Sequence, residues 1–154
     1  MVRLICALVL ALALATPSLG QQSLVGTYKF VNQTVVVEGV SSEPMGKNPG
    51  GYLVITPTRL VMVCAAENRK PAKTPEEKAA LLDSLVAWAG PYRLEGNKII
   101  VKADTSWVQT WTGKDQVRNW ELSGNRLTFS QDGAVYTRDP SKTAKVTMHF
   151  EKIE

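Results

Sequence analysis

Histidine and cysteine are scarce in this chain, whose 154 residues contain one histidine and two cysteines. These side chains leave too few ligands for a self-contained His/Cys metal site, so we predict no metal. Dense runs of one charge are also missing, because 18 Lys and Arg are spread along the chain against 14 Asp and Glu. Nucleic-acid binding needs clustered cations on one face, so we expect no nucleic-acid partner.

The common catalytic signatures are absent as well. The chain has no Gly-x-Ser-x-Gly elbow, no His-Glu-x-x-His pair and no glycine-rich phosphate loop. The single histidine, His149, lies on the strand face opposite to Val146, Met148 and Phe150, so its imidazole points to solvent if that apolar face is core. The sequence therefore predicts no catalytic residues and no cofactor. Acid–base catalysis by a buried Asp, Glu or Tyr leaves no local signature, which keeps an enzyme open as the less favoured alternative.

The N-terminal segment has the pattern of a secretory signal peptide. Arg3 precedes an apolar run over residues 4–15, and a helix breaker and small residues follow up to Gly20. The run is shorter than the roughly 20 residues of a membrane-spanning helix, so we expect no stable membrane insertion after cleavage. Cleavage is expected after Gly20, with Ala15 as the alternative. We predict an exported protein, periplasmic or secreted, with one domain over residues 21–154.

Loss of the signal peptide would leave Cys64 as a lone cysteine. Cys6 lies within the removed segment, so the domain would have no internal disulfide. Cys64 lies in the apolar run 60–66, where a thiol usually behaves as a small buried hydrophobic group. A nucleophilic role would need a nearby base and an electropositive setting, and the sequence shows neither. We therefore expect Cys64 in the hydrophobic core.

Most of the remaining chain reads as short β-strands joined by tight turns. Residues 24–37 are rich in β-branched and aromatic side chains, with a bend expected near Asn32 and Gln33. Gly-Asn pairs at 96–97 and 124–125 supply the positive φ values of two-residue hairpin turns. Further strands are expected at 52–56, 59–64, 106–112, 116–122, 134–138 and 145–151, with turns at 57–58, 113–115 and 131–133. Short sequential connections make neighbouring strands antiparallel, and closing such a sheet removes its edges. We predict an all-β fold: a closed up-and-down antiparallel barrel of 8 to 10 strands.

One amphipathic helix is expected within the β chain, over residues 74–89. Thr74 and Glu77 have the spacing of a capping box, and Pro75 suits the first helical position. The apolar positions at helical spacing are Leu82, Leu85, Val86 and Ala89. Gly90 and Pro91 are expected to end this helix. Its apolar face would then pack on a sheet or at a barrel mouth.

Indole side chains and one arginine are concentrated in the middle of the chain. Trp107 and Trp111 share one face of the expected strand 106–112, and Arg118 and Trp120 share one face of the next strand. Such a face fits a cavity whose apolar walls bind a ligand while a few polar groups orient it. The alternative is that the aromatic side chains fill the barrel, with Arg118 closing one end. The candidate ligand-binding residues are Trp88, Tyr92, Trp107, Trp111, Arg118 and Trp120.

These features predict a binding protein for a small, mainly hydrophobic molecule, held between the strands of the barrel. Two alternatives stay open at this stage. A cofactor-free isomerase or cyclase using the same cavity would be favoured by a buried, unpaired acid or tyrosine. A binding-inert envelope protein would be supported by a fully packed interior.

The opening and three later stretches of the chain carry a family pattern. Residues 24–30 read Leu-Val-Gly-Thr-Tyr-Lys-Phe, which is similar to the Gly-x-Trp start of lipocalins with Tyr28 in place of Trp. The later stretches, which keep their order, are 48–57, 74–78 with 90–92, and 111–118 running into 122–128. The chain thus resembles the bacterial and fungal lipocalin-like domain family over nearly all of residues 21–154.

This resemblance implies a small β-barrel with an inserted helix and an internal cavity, and it implies a fold more than an activity. Lipocalins commonly pack an arginine against the aromatic residue of their opening motif, which favours a structural role for Arg118. The chain departs from the family at Tyr28 and at Val101-Lys102, where members often carry histidine. Histidine-dependent chemistry is therefore not carried over.

Overall fold

The computed structural model describes residues 24–136 and 139–154, and the expected signal peptide lies outside the described residues. Within them the chain forms ten strands, one α-helix and one short 3₁₀-helix. Their bounds, in chain order, are β1 (Gly26–Val37), β2 (Val40–Ser42), β3 (Gly50–Ile55), β4 (Arg59–Ala65), α1 (Pro75–Asp83), β5 (Leu85–Glu95), β6 (Lys98–Lys102), β7 (Thr105–Ser106), the 3₁₀-helix (Gln109–Trp111), β8 (Asp115–Ser123), β9 (Arg126–Val135) and β10 (Thr143–Lys152).

Eight of the strands form a closed antiparallel barrel. Their order is β1-β3-β4-β5-β6-β8-β9-β10, and β10 returns to pair with β1. The short strand β2 extends β1 as a hairpin, and β7 pairs only with β5. The register of β1 shifts between Phe30 and Asn32, which is a β-bulge at the predicted bend. The predicted all-β barrel is confirmed.

The two ends of the barrel differ in how their strands are connected. At one end, the closed end, β3–β4, β5–β6 and β8–β9 are joined by short turns. Gly96 and Gly124 adopt positive φ values of 59° and 60° in two of these turns, which confirms both Gly-Asn hairpins. At the other end, the open end, the connections are longer and include α1 and the 3₁₀-helix.

Aromatic side chains fill the closed end. The rings of Phe30 and Phe129 lie 5.5 and 5.7 Å from that of Phe150, and all three are buried. Tyr28 is also fully buried, and its hydroxyl donates to the carbonyl of Leu24 at 2.9 Å. The closed end therefore supplies a large part of the hydrophobic core.

The helix is shorter and more exposed than the sequence predicts. Its capping box is confirmed: the Glu77 N–H donates to Thr74 Oγ1 at 3.2 Å, and the Thr74 N–H donates to the Glu77 carboxylate at 3.1 Å. However, α1 ends at Asp83, and none of its residues is buried. The expected packing of an apolar helix face on the barrel is therefore wrong.

The second half of the predicted helix belongs to β5 instead. Leu85, Val86 and Ala89 pair with β4, and Gly90 and Pro91 continue the strand rather than ending a helix. Three consecutive residues of β5, Trp88 to Gly90, are buried, so both faces of the strand are covered there and it lacks the polar alternation of a half-exposed strand. A continuous apolar run of this kind also contains positions at helical spacing, which explains the wrong prediction.

Two other strands predicted from the sequence are not formed as predicted. Residues 106–112 form the end of β7 and the 3₁₀-helix, because β6 pairs directly with β8 and leaves the segment between them outside the barrel wall. The predicted turn at 131–133 lies inside β9, where Gly133 has a φ of 67° and the β9–β10 register shifts nearby. The break is therefore a bulge within one strand, which ends at Val135, and no separate strand follows at 134–138 in the described residues.

Cys64 lies on β4 and is fully buried, which confirms its expected place in the core. Burial raises the pKa of its thiol to about 12. The side chain is therefore protonated at neutral pH and inaccessible to reagents, which is the opposite of what a nucleophile requires.

Candidate functional site

A cavity of about 120 Å³ lies inside the barrel toward the open end. We call it the inner cavity. Most of its lining is apolar or aromatic, contributed by Val35, Met45, Met62, Val86, Trp88, Trp107, Trp111, Val146 and Met148. The polar lining includes Gln33, Asp83, Arg118, Gln131 and Tyr136. The inner cavity thus combines apolar walls with a few polar groups.

A wider pocket of about 860 Å³ adjoins the inner cavity, and we call it the outer pocket. The two spaces share Asp83 and, on the facing wall, Trp107, Trp111, Gln131, Ala134 and Val135. Lys114 and Asp115 border only the outer pocket, whereas Arg118 borders only the inner cavity. The shared residues form the passage between the two spaces.

Four of the six predicted ligand-binding residues line the inner cavity. They are Trp88 on β5, Trp107 after β7, Trp111 at the end of the 3₁₀-helix and Arg118 on β8. Tyr92 and Trp120 lie outside the lining of both pockets. The Tyr92 hydroxyl donates to the carbonyl of Thr56 near the closed end at 3.1 Å, and Trp120 pairs with Phe129 across β8 and β9.

Of the three indole rings at the cavity, that of Trp111 contacts the other two edge to face. The centroids of Trp107 and Trp111 are 5.0 Å apart with an interplanar angle of 81°, and those of Trp88 and Trp111 are 6.2 Å apart at 84°. This T-shaped arrangement is favourable for aromatic quadrupoles. Trp107 and Trp111 do not share a strand face as predicted. Instead the 3₁₀-helix brings Trp111 back toward Trp88 across the open end.

Arg118 lies against two of these indoles. Its Cζ is 5.7 Å from the ring centroid of Trp88 and 5.5 Å from that of Trp111. Its Nη1 donates to the carbonyl of Val117 at 2.8 Å, and no carboxylate of the described residues forms an ion pair with it. Burial lowers the pKa of Arg118 to about 10, so the guanidinium still carries its charge at neutral pH.

The expected packing of Arg118 against the opening aromatic residue is wrong. That position is occupied by Lys152 of β10, whose Nζ lies 5.8 Å from the ring centroid of Tyr28. Because the barrel closes between β1 and β10, the last strand is the one that brings a cation to the opening motif. Arg118 lies on β8, where it pairs with Ile99 of β6, and its side chain lines the inner cavity instead.

Sequence reasoning missed several polar residues of the lining. Gln33 is the clearest case: it is buried and lies opposite Met148. The bulge after Phe30 shifts the two-residue alternation, so that Gln33 and Val35 face the interior together with Phe30. The sequence predicted a bend near Asn32 and Gln33. Placing Gln33 inside the barrel, however, requires the position of the bulge to within one residue. Asp83 was missed because the helix was expected to continue beyond it.

The described residues set bounds on the chemistry of this site. Within residues 24–136 and 139–154, no group of three or more His, Cys, Asp or Glu side chains is arranged to hold a metal ion. Across the same residues, every carboxylate keeps some exposure to solvent. No helix in the described part of the chain is long and apolar enough to cross a membrane. The arrangement of the lining is suited to enclosing an apolar group and holding a polar one.

Small closed β-barrels either fill their interior with side chains or hold one small ligand there. This chain, a closed barrel with a lined interior cavity, belongs to that class. The family model of the lipocalin-like domain matches residues 25–153, and the chain belongs to this family. The resemblance predicted from the sequence is thereby confirmed. No curated protein matches the chain significantly.

Proposed function

We propose that this protein binds a small, mainly apolar molecule in the inner cavity, with the outer pocket as the way in. The observation that carries the proposal is the indole-lined cavity at the open end of an otherwise packed barrel. Membership of the lipocalin-like family supports ligand binding in general. The nature of the ligand is inferred from the lining, in which aromatic and aliphatic side chains predominate.

The division of the barrel into two halves supports this proposal. Protein interiors are normally close-packed, and an empty space forfeits contacts for the side chains that line it. At the closed end, Phe150 contacts both Phe30 and Phe129, and all three rings are buried. The open end is not close-packed, because it contains the inner cavity, although its tryptophan side chains are larger than the phenylalanines of the closed end. A ligand that fills the inner cavity would restore these contacts.

The two alternatives have weaker support. An inert barrel would be expected to fill its interior, and the inner cavity is not filled. A cofactor-free isomerase or cyclase would need a buried, unpaired acid or tyrosine near the cavity. Among the described residues, Tyr28 is buried but its hydroxyl donates to Leu24, and Tyr136 lines the inner cavity but is only half-buried. The enzyme hypothesis therefore gains no specific observation.

We also propose that the protein is exported, on the basis of the signal-peptide pattern in residues 1–20. A fold that needs no disulfide, with its lone Cys64 buried, is compatible with either a reducing or an oxidising compartment. Expression of the full chain in a bacterium, followed by fractionation and mass measurement of the mature protein, tests this. Recovery from the cytoplasm with residues 1–20 intact would refute the proposal.

Binding is tested with Nile red, a neutral apolar dye that fluoresces when it leaves water. The wild-type protein is expected to enhance dye emission and to change its own tryptophan emission with the same concentration dependence. Ala144→Leu extends a buried cavity-lining side chain into the space and should weaken binding. Val63→Leu introduces a leucine on the exposed outer face of β4, where it adds one methylene, and should have no effect.

Val146→Leu, which adds one methylene to another lining residue, is a second cavity variant in case Ala144→Leu does not fold. Circular dichroism establishes folding of each variant. Absence of any dye response in the wild type, or equal dye affinity in the wild type and a folded cavity variant, would overturn the proposed function.

A further inference from the structure

We propose that the ligand is an amphipathic carboxylic acid, whose carboxylate binds Arg118 in the inner cavity while its apolar body extends toward the outer pocket. This inference rests on the proposed function and specifies the chemical class of the ligand.

Arg118 has hydrogen-bonding capacity that the protein does not use. A guanidinium carries five N–H donors in a planar fork. The described residues supply one acceptor, the carbonyl of Val117, and no carboxylate partner. The faces of Trp88 and Trp111 stabilise the cation through their ring quadrupoles but offer no hydrogen-bond acceptor in the plane of the fork. Arg118 is half-buried on a largely apolar wall, and a cation that loses part of its hydration is normally paired, so a negative group is expected from outside the chain.

Trp88 supplies a second, independent observation. Its side chain is buried and lines the inner cavity beside Arg118. The indole Nε1–H has no acceptor among the described residues. Buried donors in native proteins are almost always satisfied by protein, ordered water or ligand. The residue that stacks against Arg118 thus has an unsatisfied donor of its own, as does Trp120, which lies outside both pockets.

The distribution of charge around the two pockets orients such a ligand. Arg118 borders only the inner cavity, and the carboxylate of Asp83 borders the passage. The outer pocket carries both Lys114 and Asp115, and Asp115 is paired with Arg93. An anionic group is thus favoured at Arg118 and disfavoured at the passage. The presence of Asp83 also favours a single negative charge over a dianion. The planar fork of an arginine matches the two oxygens of a carboxylate.

The experiment compares two ligands of equal length, octanoate and octan-1-ol, by displacement of Nile red from the full folded protein. In the wild type, octanoate should displace the dye at the lower concentration. Arg118→Met keeps an apolar side chain at the site but removes the charge. It should weaken octanoate binding by about 10- to 100-fold, as expected for a lost charge-assisted hydrogen-bonded pair. Octan-1-ol binding should change little, and Arg118→Lys should give an intermediate result.

Lys114→Met is the matched control, because it removes a positive charge at the outer pocket and leaves the inner cavity untouched. It should leave octanoate binding nearly unchanged. Two further measurements do not depend on the folding of Arg118→Met. The Nε–H resonance of Arg118 in the wild type should shift on addition of octanoate and not of octan-1-ol. Trp88→Phe should weaken octanoate binding more than octan-1-ol binding.

The outcomes separate this inference from the proposed function. Binding of Nile red and octan-1-ol without a preference for octanoate would overturn the inference and leave the cavity as an apolar site. Equal losses for both ligands in folded Arg118→Met would show that Arg118 only supports the shape of the cavity, which also overturns it. Failure of the wild type to bind Nile red and both octyl ligands would overturn the proposed function itself.

Discussion

Lys152 places its ammonium group 5.8 Å from the ring centroid of Tyr28 and donates a hydrogen bond to the carbonyl of Val25 at 2.8 Å. The last strand of the barrel is thereby fixed to the start of the first. Tyr28 in turn donates its hydroxyl proton to the carbonyl of Leu24. Lys152 thus takes the place of the expected arginine at the opening motif, while Arg118, on β8, lines the inner cavity.

Removal of the Tyr28 hydroxyl should destabilise the closed end. Tyr28→Phe leaves the carbonyl of Leu24 without its donor, and an unsatisfied buried acceptor costs about 1–3 kcal/mol. Urea unfolding should show a loss in that range. Tyr52→Phe removes the same atom from an exposed tyrosine on β3 and should change stability by less than about 0.5 kcal/mol. Equal effects of the two substitutions would contradict a structural role for the Tyr28–Leu24 hydrogen bond.

Cys64 should react with thiol reagents only after unfolding. The side chain is buried and its pKa is raised to about 12, so a Cys6→Ser variant at about pH 8 should resist alkylation in buffer and be alkylated in urea. Rapid alkylation of the folded protein would contradict the burial of this thiol.

The same pKa shift predicts how stability depends on pH. The folded pKa lies above the unfolded value of about 8.5, so the contribution of this group is fully present below about pH 8.5 and is lost as the pH rises toward 12. In that range the free energy of unfolding should fall by up to about 1.4 kcal/mol per pH unit. Urea titrations of Cys6→Ser with and without Cys64→Ala should differ by this slope. Parallel pH profiles for the two proteins would contradict the prediction.

Much of the fold was predictable because its determinants are local. A Gly-Asn pair supplies the backbone conformation of a hairpin turn whatever the rest of the chain does, and both predicted pairs form such turns. The capping box of α1 likewise involves only Thr74 and its near neighbours. Strand β5 was mistaken for helix because its apolar residues reflect burial on both faces around Trp88 to Gly90, which is a property of the assembled barrel.

The candidate site was likewise predictable only in part. Trp107, Trp111 and Arg118 were predicted as cavity residues from their composition, and they line the inner cavity. Their arrangement was not predictable, because a 3₁₀-helix rather than a strand sets the position of Trp111. The contact between Arg118 and Trp88 joins residues 30 positions apart through β5, β6 and β8, so it depends on the barrel topology.

Gly90 should not tolerate a side chain. A Cβ at this position on β5 would overlap the carbonyl of Lys102 and approach Cα of Ala103, where the chain leaves β6. Because these neighbours are backbone atoms, they can move only by disturbing the β-sheet, and overpacking of this kind costs about 1–3 kcal/mol. Gly90→Ala should therefore lower the free energy of unfolding in urea by that amount.

Gly50→Ala provides the matched control for Gly90, because Gly50 also lies in a strand, and nothing lies within 4 Å of a Cβ built there. Its stability should stay within about 0.5 kcal/mol of the wild type. A Gly90→Ala variant as stable as the wild type would mean that the backbone of Lys102 and Ala103 lies farther from Gly90 than the structure shows.

Loss of the α1 cap should open the helix without unfolding the barrel. Thr74→Ala removes the oxygen that accepts the Glu77 N–H, at a cost of about 1 kcal/mol, which corresponds to about fivefold faster amide exchange in the helix. No residue of α1 is buried, so the barrel amides and the urea midpoint should be unchanged. Thr74→Ser retains a hydroxyl acceptor and should preserve protection. If Thr74→Ala instead lowered the stability of the whole domain, α1 would have to pack on the barrel more firmly than its exposure indicates.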